Sequence, residues 1–153
     1  MDAVSHRDPQ LVALAEAALQ RLLASTGSLR YAAVLTDDGF AVSTLSAGAD
    51  ADNGRFASIA STLQALGEAA GRELLTAGGS TAVLIDTQAG RIAQLRVGGT
   101  TLVLAALFDD DGAADGILTP LHGCAAALAA SIRRDDLCDD PTETRSDPTR
   151  SAL

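Results

Sequence analysis

Two segments, Tyr31-Ala-Ala-Val-Leu-Thr36 and Thr101-Leu-Val-Leu-Ala-Ala-Leu-Phe108, are apolar on both faces. A strand of that kind must be covered on both sides, which places it in the middle of a sheet. Phe40-Ala-Val-Ser-Thr-Leu45 alternates only in part and suits an edge. Thr81-Ala-Val-Leu-Ile-Asp86 is the candidate for the other edge. Arg91 to Val97 alternates with period two, with Ile92, Gln94 and Arg96 on one face and Ala93, Leu95 and Val97 on the other. Turn residues separate these runs. Asp38-Gly39 and Gly98-Gly99 are hairpin dipeptides, and Gln88-Ala-Gly90 makes a third turn.

Three helices complete the pattern. Asp8-Pro9 supplies an N-cap and a first helical position. Leu11, Leu14, Ala15, Ala18 and Leu22 then form one apolar stripe, which Gly27 ends. The middle helix runs from Arg55 to Thr76, where Gly78-Gly79 stops it. Phe56, Ile59, Leu63, Leu66, Gly67, Ala70 and Leu74 share one of its faces. Ala57, Ala60, Gln64, Gly71 and Leu75 make a flanking face of mostly small residues, open to a second helix at close range. The last helix starts between Ala114 and Thr119, with Thr119-Pro120 offering the cap, and its stripe is Leu121, Cys124, Ala125, Leu128 and Ile132. With helices on both faces of the sheet, the fold class is an α/β sandwich of three layers.

Length and composition narrow the function. A chain of 153 residues suits one domain. With no Trp, one Tyr and three Phe, its core must be built from Ala, Leu, Val and Ile. A net charge of -9 argues against nucleic acid and anionic membrane as main partners. All 11 basic residues are Arg, a bias typical of GC-rich bacterial coding. Met1 to Pro9 lacks the layout of a signal peptide, and no apolar run reaches spanning length, so the expected location is the cytoplasm. Asp135 to Leu153 holds six acidic residues, two Arg and two Pro with little apolar mass, and reads as a disordered tail. The expected organisation is a flexible N-terminus over 1–8, a domain over 9–134 and the acidic tail over 135–153.

Chemistry-bearing motifs are scarce. Without Lys, a phosphate-binding P-loop is excluded. His6 and His122 are isolated, and His122 and Cys124 are two apart on a helix, so they do not share a face. Asp109-Asp110-Asp111 lacks the spacing and the Glu of a calcium loop and reads as a solvated acidic turn. No Gly-x-Ser-x-Gly elbow is present. Cys124 lies on an apolar stripe and reads as a small core residue, and Cys138 lies among Asp residues, so neither reads as a catalytic nucleophile. The expectation is no enzyme, no catalytic residue, no cofactor and no metal.

The order helix, hairpin, helix, three-strand meander, helix covers roughly residues 9 to 134. With the Tyr31-to-Phe40 strand and its Asp38-Gly39 turn, the Leu63-to-Leu74 helix, and Gly98-Gly99 leading into Leu102-Val-Leu-Ala, it resembles the roadblock/dynein-light-chain family, in its bacterial branch. The resemblance implies a mainly antiparallel five-stranded sheet of order 2-1-5-4-3. It also implies one helix alone on one sheet face and two on the other. It implies an adaptor that homodimerises and binds a small Ras-like GTPase, modulating its nucleotide cycle. The apolar edge strand, Thr81, Val83 and Ile85, is the expected dimer contact, joined by Ala57, Ala60, Gln64 and Gly71 of the middle helix. The outward residues Arg55, Ser58, Ser61, Thr62, Ala65, Ala69, Arg72 and Glu73 are the expected partner surface, with Arg55 and Arg72 the candidates for an Arg supplied in trans. Two other readings stand beside this one. The first is a small-molecule-sensing domain, which the shortage of aromatics disfavours. The second is a structural subunit docking through its sheet edge.

Overall fold

The computed structural model describes residues 5–48, 53–75, 82–109 and 114–138. Within them the chain forms α1 (Pro9–Ser25), β1 (Leu29–Leu35), β2 (Ala41–Ser46), α2 (Asn53–Leu75), β3 (Ala82–Thr87), β4 (Gly90–Arg96), β5 (Val103–Phe108) and α3 (Asp115–Cys138). The strands make one sheet of order β2-β1-β5-β4-β3. Every neighbouring pair is antiparallel. The two-sidedly apolar strands β1 and β5 pair at the centre, Ala33 opposite Ala105 and Val34 opposite Leu104. The edges are β2 and β3, as the strand polarities require.

Two cores flank the sheet. On one face α1 and α3 pack against each other and against the strands. Leu19, Leu22, Leu121 and Leu128 bury on Ala32, Val34, Ala93, Leu95, Leu104 and Ala106. On the other face α2 lies alone, with Ala57 and Ala60 over Tyr31, Ala33, Leu35, Val103 and Ala105.

Local chemistry sets the turns. Asp8 caps α1, its Oδ1 accepting from the Gln10 amide at 3.0 Å, with Pro9 in the first turn. Gly39 holds φ +83 in the β1–β2 turn, and its amide donates to the Thr36 carbonyl at 3.0 Å. Gly90, at φ +145, opens β4 so close to β5 that a Cβ there would collide with the Phe108 carbonyl oxygen.

The ends of α1 and α3 and the cap of α3 differ from the sequence reading. Thr26, in extended conformation, ends α1 rather than Gly27, and the Ser25 hydroxyl in the last turn donates back to the Arg21 carbonyl at 2.7 Å. The last helix begins at Asp115, inside the expected interval of Ala114 to Thr119, but Thr119-Pro120 is not its cap, because Pro120 lies inside it. The extra turn buries Ile117, and the Ile117 and Leu118 amides donate to the Ala114 carbonyl at 3.1 and 3.0 Å. That helix also continues through Cys138, so 135–138 belong to it and not to a tail. The expected tail over 139–153, the Gly78-Gly79 stop and the Asp110-Asp111 loop lie outside the described residues.

Candidate interaction surface

Small residues let α2 lie close to the sheet. Ala57 and Ala60 are buried beneath it, and Gln64 is buried with them. Gln64 sits there because β4 presents a polar partner. Gln94, fully buried, donates from Nε2 to the Ala60 carbonyl at 2.7 Å and to Gln64 Oε1 at 3.2 Å. Gln64 Nε2 in turn donates to Glu68 Oε1 at 3.0 Å. Arg96 closes the chain of contacts. Its Nε and Nη2 reach Glu68 Oε1 and Oε2 at 2.6 and 3.0 Å, and its Nη1 reaches Asp37 at 2.6 Å. The bidentate Arg96 contact holds the Glu68 carboxyl below the usual carboxylate range, and Glu68 raises Arg96 in return. One polar ladder therefore fixes α2 to β4 and to the β1–β2 turn.

This packing corrects the flank expected to meet a second helix. Ala57, Ala60 and Gln64 face their own sheet, and Gly71 is half-buried. Ala57, Ala60 and Gln64 are used within the chain. The flank left open carries large apolar residues instead: Ile59, Leu66 and Leu74 are 49%, 65% and 79% exposed. Beside it, Ile85, Ile92 and Leu107 line up across β3, β4 and β5 and are only half-buried. One helix cannot cover one face of five strands, and the uncovered part is apolar. Val83 and Ile85 lie half-buried on edge strand β3, while Thr81 falls outside the described residues.

The expected partner residues lie together along α2. Arg55, Ser58, Thr62, Ala65, Arg72 and Glu73 are exposed, and Ser61 and Ala69 are half-buried. Ser61 and Thr62 turn their hydroxyls back onto the Ser58 carbonyl at 3.1 and 2.9 Å. Ser61 also borders Gly39, so this strip adjoins the β1–β2 turn. At that turn Phe40 is 53% exposed and stacks on His6 with ring centroids 5.0 Å apart, an aromatic pair the sequence did not announce.

Cys124 is buried with its Sγ 3.1 Å from the Ala18 carbonyl, and burial pushes its thiol up to about 11. Among the described residues no three His, Cys, Asp or Glu side chains gather as metal ligands. No helix described is long and apolar enough to cross a membrane.

The family model of the Roadblock/LC7 domain matches residues 15–112. This chain belongs to the Roadblock/LC7 domain family. The match runs from within α1 to just past β5, so it takes in the whole sheet and α2. Solved structures agree on the fold. The gliding protein MglB from Thermus thermophilus superposes with a TM-score of 0.70 at 18% identity, covering 81% of this chain and 92% of that one. A Roadblock/LC7 domain from Streptomyces avermitilis gives 0.62 at 23% identity, covering 81% and 95%. Myxococcus xanthus MglB gives 0.64 at 13% identity, covering 88% and 94%. No curated protein matches the chain.

Proposed function

We propose that this Roadblock/LC7 protein is a non-enzymatic cytoplasmic adaptor that homodimerises and binds a small Ras-like GTPase, modulating its nucleotide cycle. The observation that carries the dimer is the pairing of an apolar edge strand with an apolar helix flank on the same side of the molecule. Val83 and Ile85 of β3 continue into Ile92 and Leu107, and Ile59, Leu63, Leu66 and Leu74 of α2 border them. Two copies joined antiparallel along β3 make one ten-stranded sheet, and each α2 flank then covers the other's apolar floor. A solved MglB described as having a tetrameric arrangement shares the fold and supports self-association.

Dimerisation through the large apolar flank leaves the Arg55–Glu73 strip facing outward on both copies. That strip is small in side-chain volume, mixed in polarity and carries Arg55 and Arg72, the composition of a transient protein interface. The effect on the GTPase is conformational, exerted on its switch loops. The test is binding of a candidate small Ras-like GTPase, loaded with GDP or a GTP analogue, to the parent and to Arg72→Glu and Ala65→Arg variants confirmed as dimers. Loss of binding in both variants supports the strip. Parent-like binding in both places the partner elsewhere.

A further inference from the structure

The layer formed by α1 and α3 does not cover the whole sheet. Helix α1 packs on β1 and β2, and α3 packs on β4 and β5. Strand β3 touches β4 and α2 only, among the described residues. The physical reason is width. Strands are about 4.8 Å apart and packed helices about 10 Å apart, so two helices cover about four strands. The fifth is left bare on that face, and Leu84, which points there beside Ala93, is 38% exposed.

A cavity of about 300 Å³ runs along the near side of α3, against the end of β4 and the β4–β5 turn. Its apolar part is Leu95 with Ala125, Ala126 and Ala129, and its polar ends are His122 and Arg133. Arg133 makes no ion pair among the described residues. Asp86, on the bare face of β3, is held by Arg91 at 3.1 Å. The groove is thus apolar in its middle and offers donors at both ends, in a chain of net charge -9.

Pairing two β3 strands changes the meaning of that bare strip. Two adjacent bare strands are about 10 Å wide, the width of one helix, and an α3 stands on either side. We propose that this trough seats one amphipathic helix of a partner protein per dimer, with a small apolar stripe inward and Asp or Glu toward His122 and Arg133 of both walls. The proposal rests on the β3-paired dimer of the preceding section but not on its GTPase surface, which lies on the opposite sheet face. Charge complementarity and continuity with the β3 contact select this occupant. Residues 139–153 of the chain itself contain only Ala152 and Leu153 as apolar residues, too few to fill an apolar floor.

The length of β3, six residues, is about 20 Å, which a helix of about 14 residues spans. The test therefore uses a labelled synthetic helix of that length with an Ala/Leu stripe flanked by Glu, and the same helix flanked by Lys. Binding to the full-length protein is followed by fluorescence anisotropy, after sedimentation has established its oligomeric state. The expected result is saturation at one Glu-flanked helix per two chains, with the Lys-flanked helix at least about tenfold weaker. Ala126→Arg, an exposed change on the α3 wall, is expected to lose about tenfold in affinity with an unchanged melting temperature. Gly98→Leu, where added atoms meet open space, is expected to fill the groove with the same effect. No binding by a protein that is dimeric, equal affinity for the two helices, preference for Lys, or binding indifferent to both variants overturns the proposal. A protein that sediments only as a monomer overturns the dimer reading first, and this one with it.

Discussion

Arg96 joins three parts of the chain that lie far apart in sequence. Its guanidinium binds Glu68 of α2 through two nitrogens and Asp37 of the β1–β2 turn through a third. The Arg96 and Glu68 side chains are both about one-fifth exposed, so solvent screens the pair only in part. Arg96→Gln removes the charge and the fork, and is expected to lower unfolding free energy by about 1–2 kcal/mol. The pH dependence follows from Glu68. Its carboxyl sits below its unfolded value because Arg96 holds it. A depressed carboxyl stabilises the fold above its unfolded pKa, and that contribution is lost as pH falls through the folded one. The gap between parent and Arg96→Gln in denaturant titrations should therefore shrink below about pH 4. A gap that stays constant to pH 2 would show that the effect comes from packing of the Arg stem. The two cysteines give a second check at this scale. Burial has raised the Cys124 thiol to about 11, whereas Cys138 is exposed at the end of α3. A thiol reagent at pH 7.5 should label one cysteine per native chain, and peptide mapping should place the label on Cys138. Labelling of Cys124 at a similar rate would mean that α1 and α3 open readily.

At the scale of elements, strand order was legible because burial leaves a simple mark. Only β1 and β5 are apolar on both faces, and only central strands need to be. The orientation of α2 was not legible in the same way. Both of its flanks look like candidates for burial, one rich in Leu and Ile, the other in Ala. What decides between them is distance: a helix crossing close over β1 and β5 admits Ala57 and Ala60 beneath it and pushes larger side chains aside. A usable signal was present. Gln94 and Arg96 share one face of a strand, and Gln64 and Glu68 stand one turn apart on the helix. Polar residues matched in that way on a strand and a helix predict that the two faces meet. The start of α3 fell inside the interval read from the sequence, but its cap was misassigned for a related reason, since Thr119-Pro120 looks like a cap until the burial of Ile117 is known. The misassigned flank yields its own prediction. Leu66 is largely exposed in one chain, so Leu66→Asp should leave the folded monomer intact. It should weaken self-association by about 1–3 kcal/mol, or roughly 5- to 150-fold in Kd, as an apolar contact at an interface would. Sedimentation across a concentration series reads this directly, and an unchanged Kd removes Leu66 from the interface.

For the whole molecule, the unequal treatment of the two sheet faces is the consequence with the widest reach. Five strands are too many for one helix on one side and for two on the other, so each face keeps an apolar remainder beside β3. Both remainders lie next to the same free edge, and a second copy added at that edge acts on both at once. In the proposed dimer, a chain built in this way draws part of its stability from its copy. Because the dimer forms only from folded chains, mass action then ties unfolding to concentration. A tenfold rise in protein concentration adds about 1.4 kcal/mol per dimer. For a domain of this size that corresponds to a rise of a few degrees in melting temperature. Calorimetry from about 5 to about 500 µM should show the rise in the parent protein. Leu66→Asp should melt at a lower temperature at high concentration, should approach the parent at low concentration, and should vary little between them. A parent melting temperature that does not move with concentration would mean that the two copies contribute nothing to each other's folding. The β3 edge and the α2 flank would then have to be covered by some other protein.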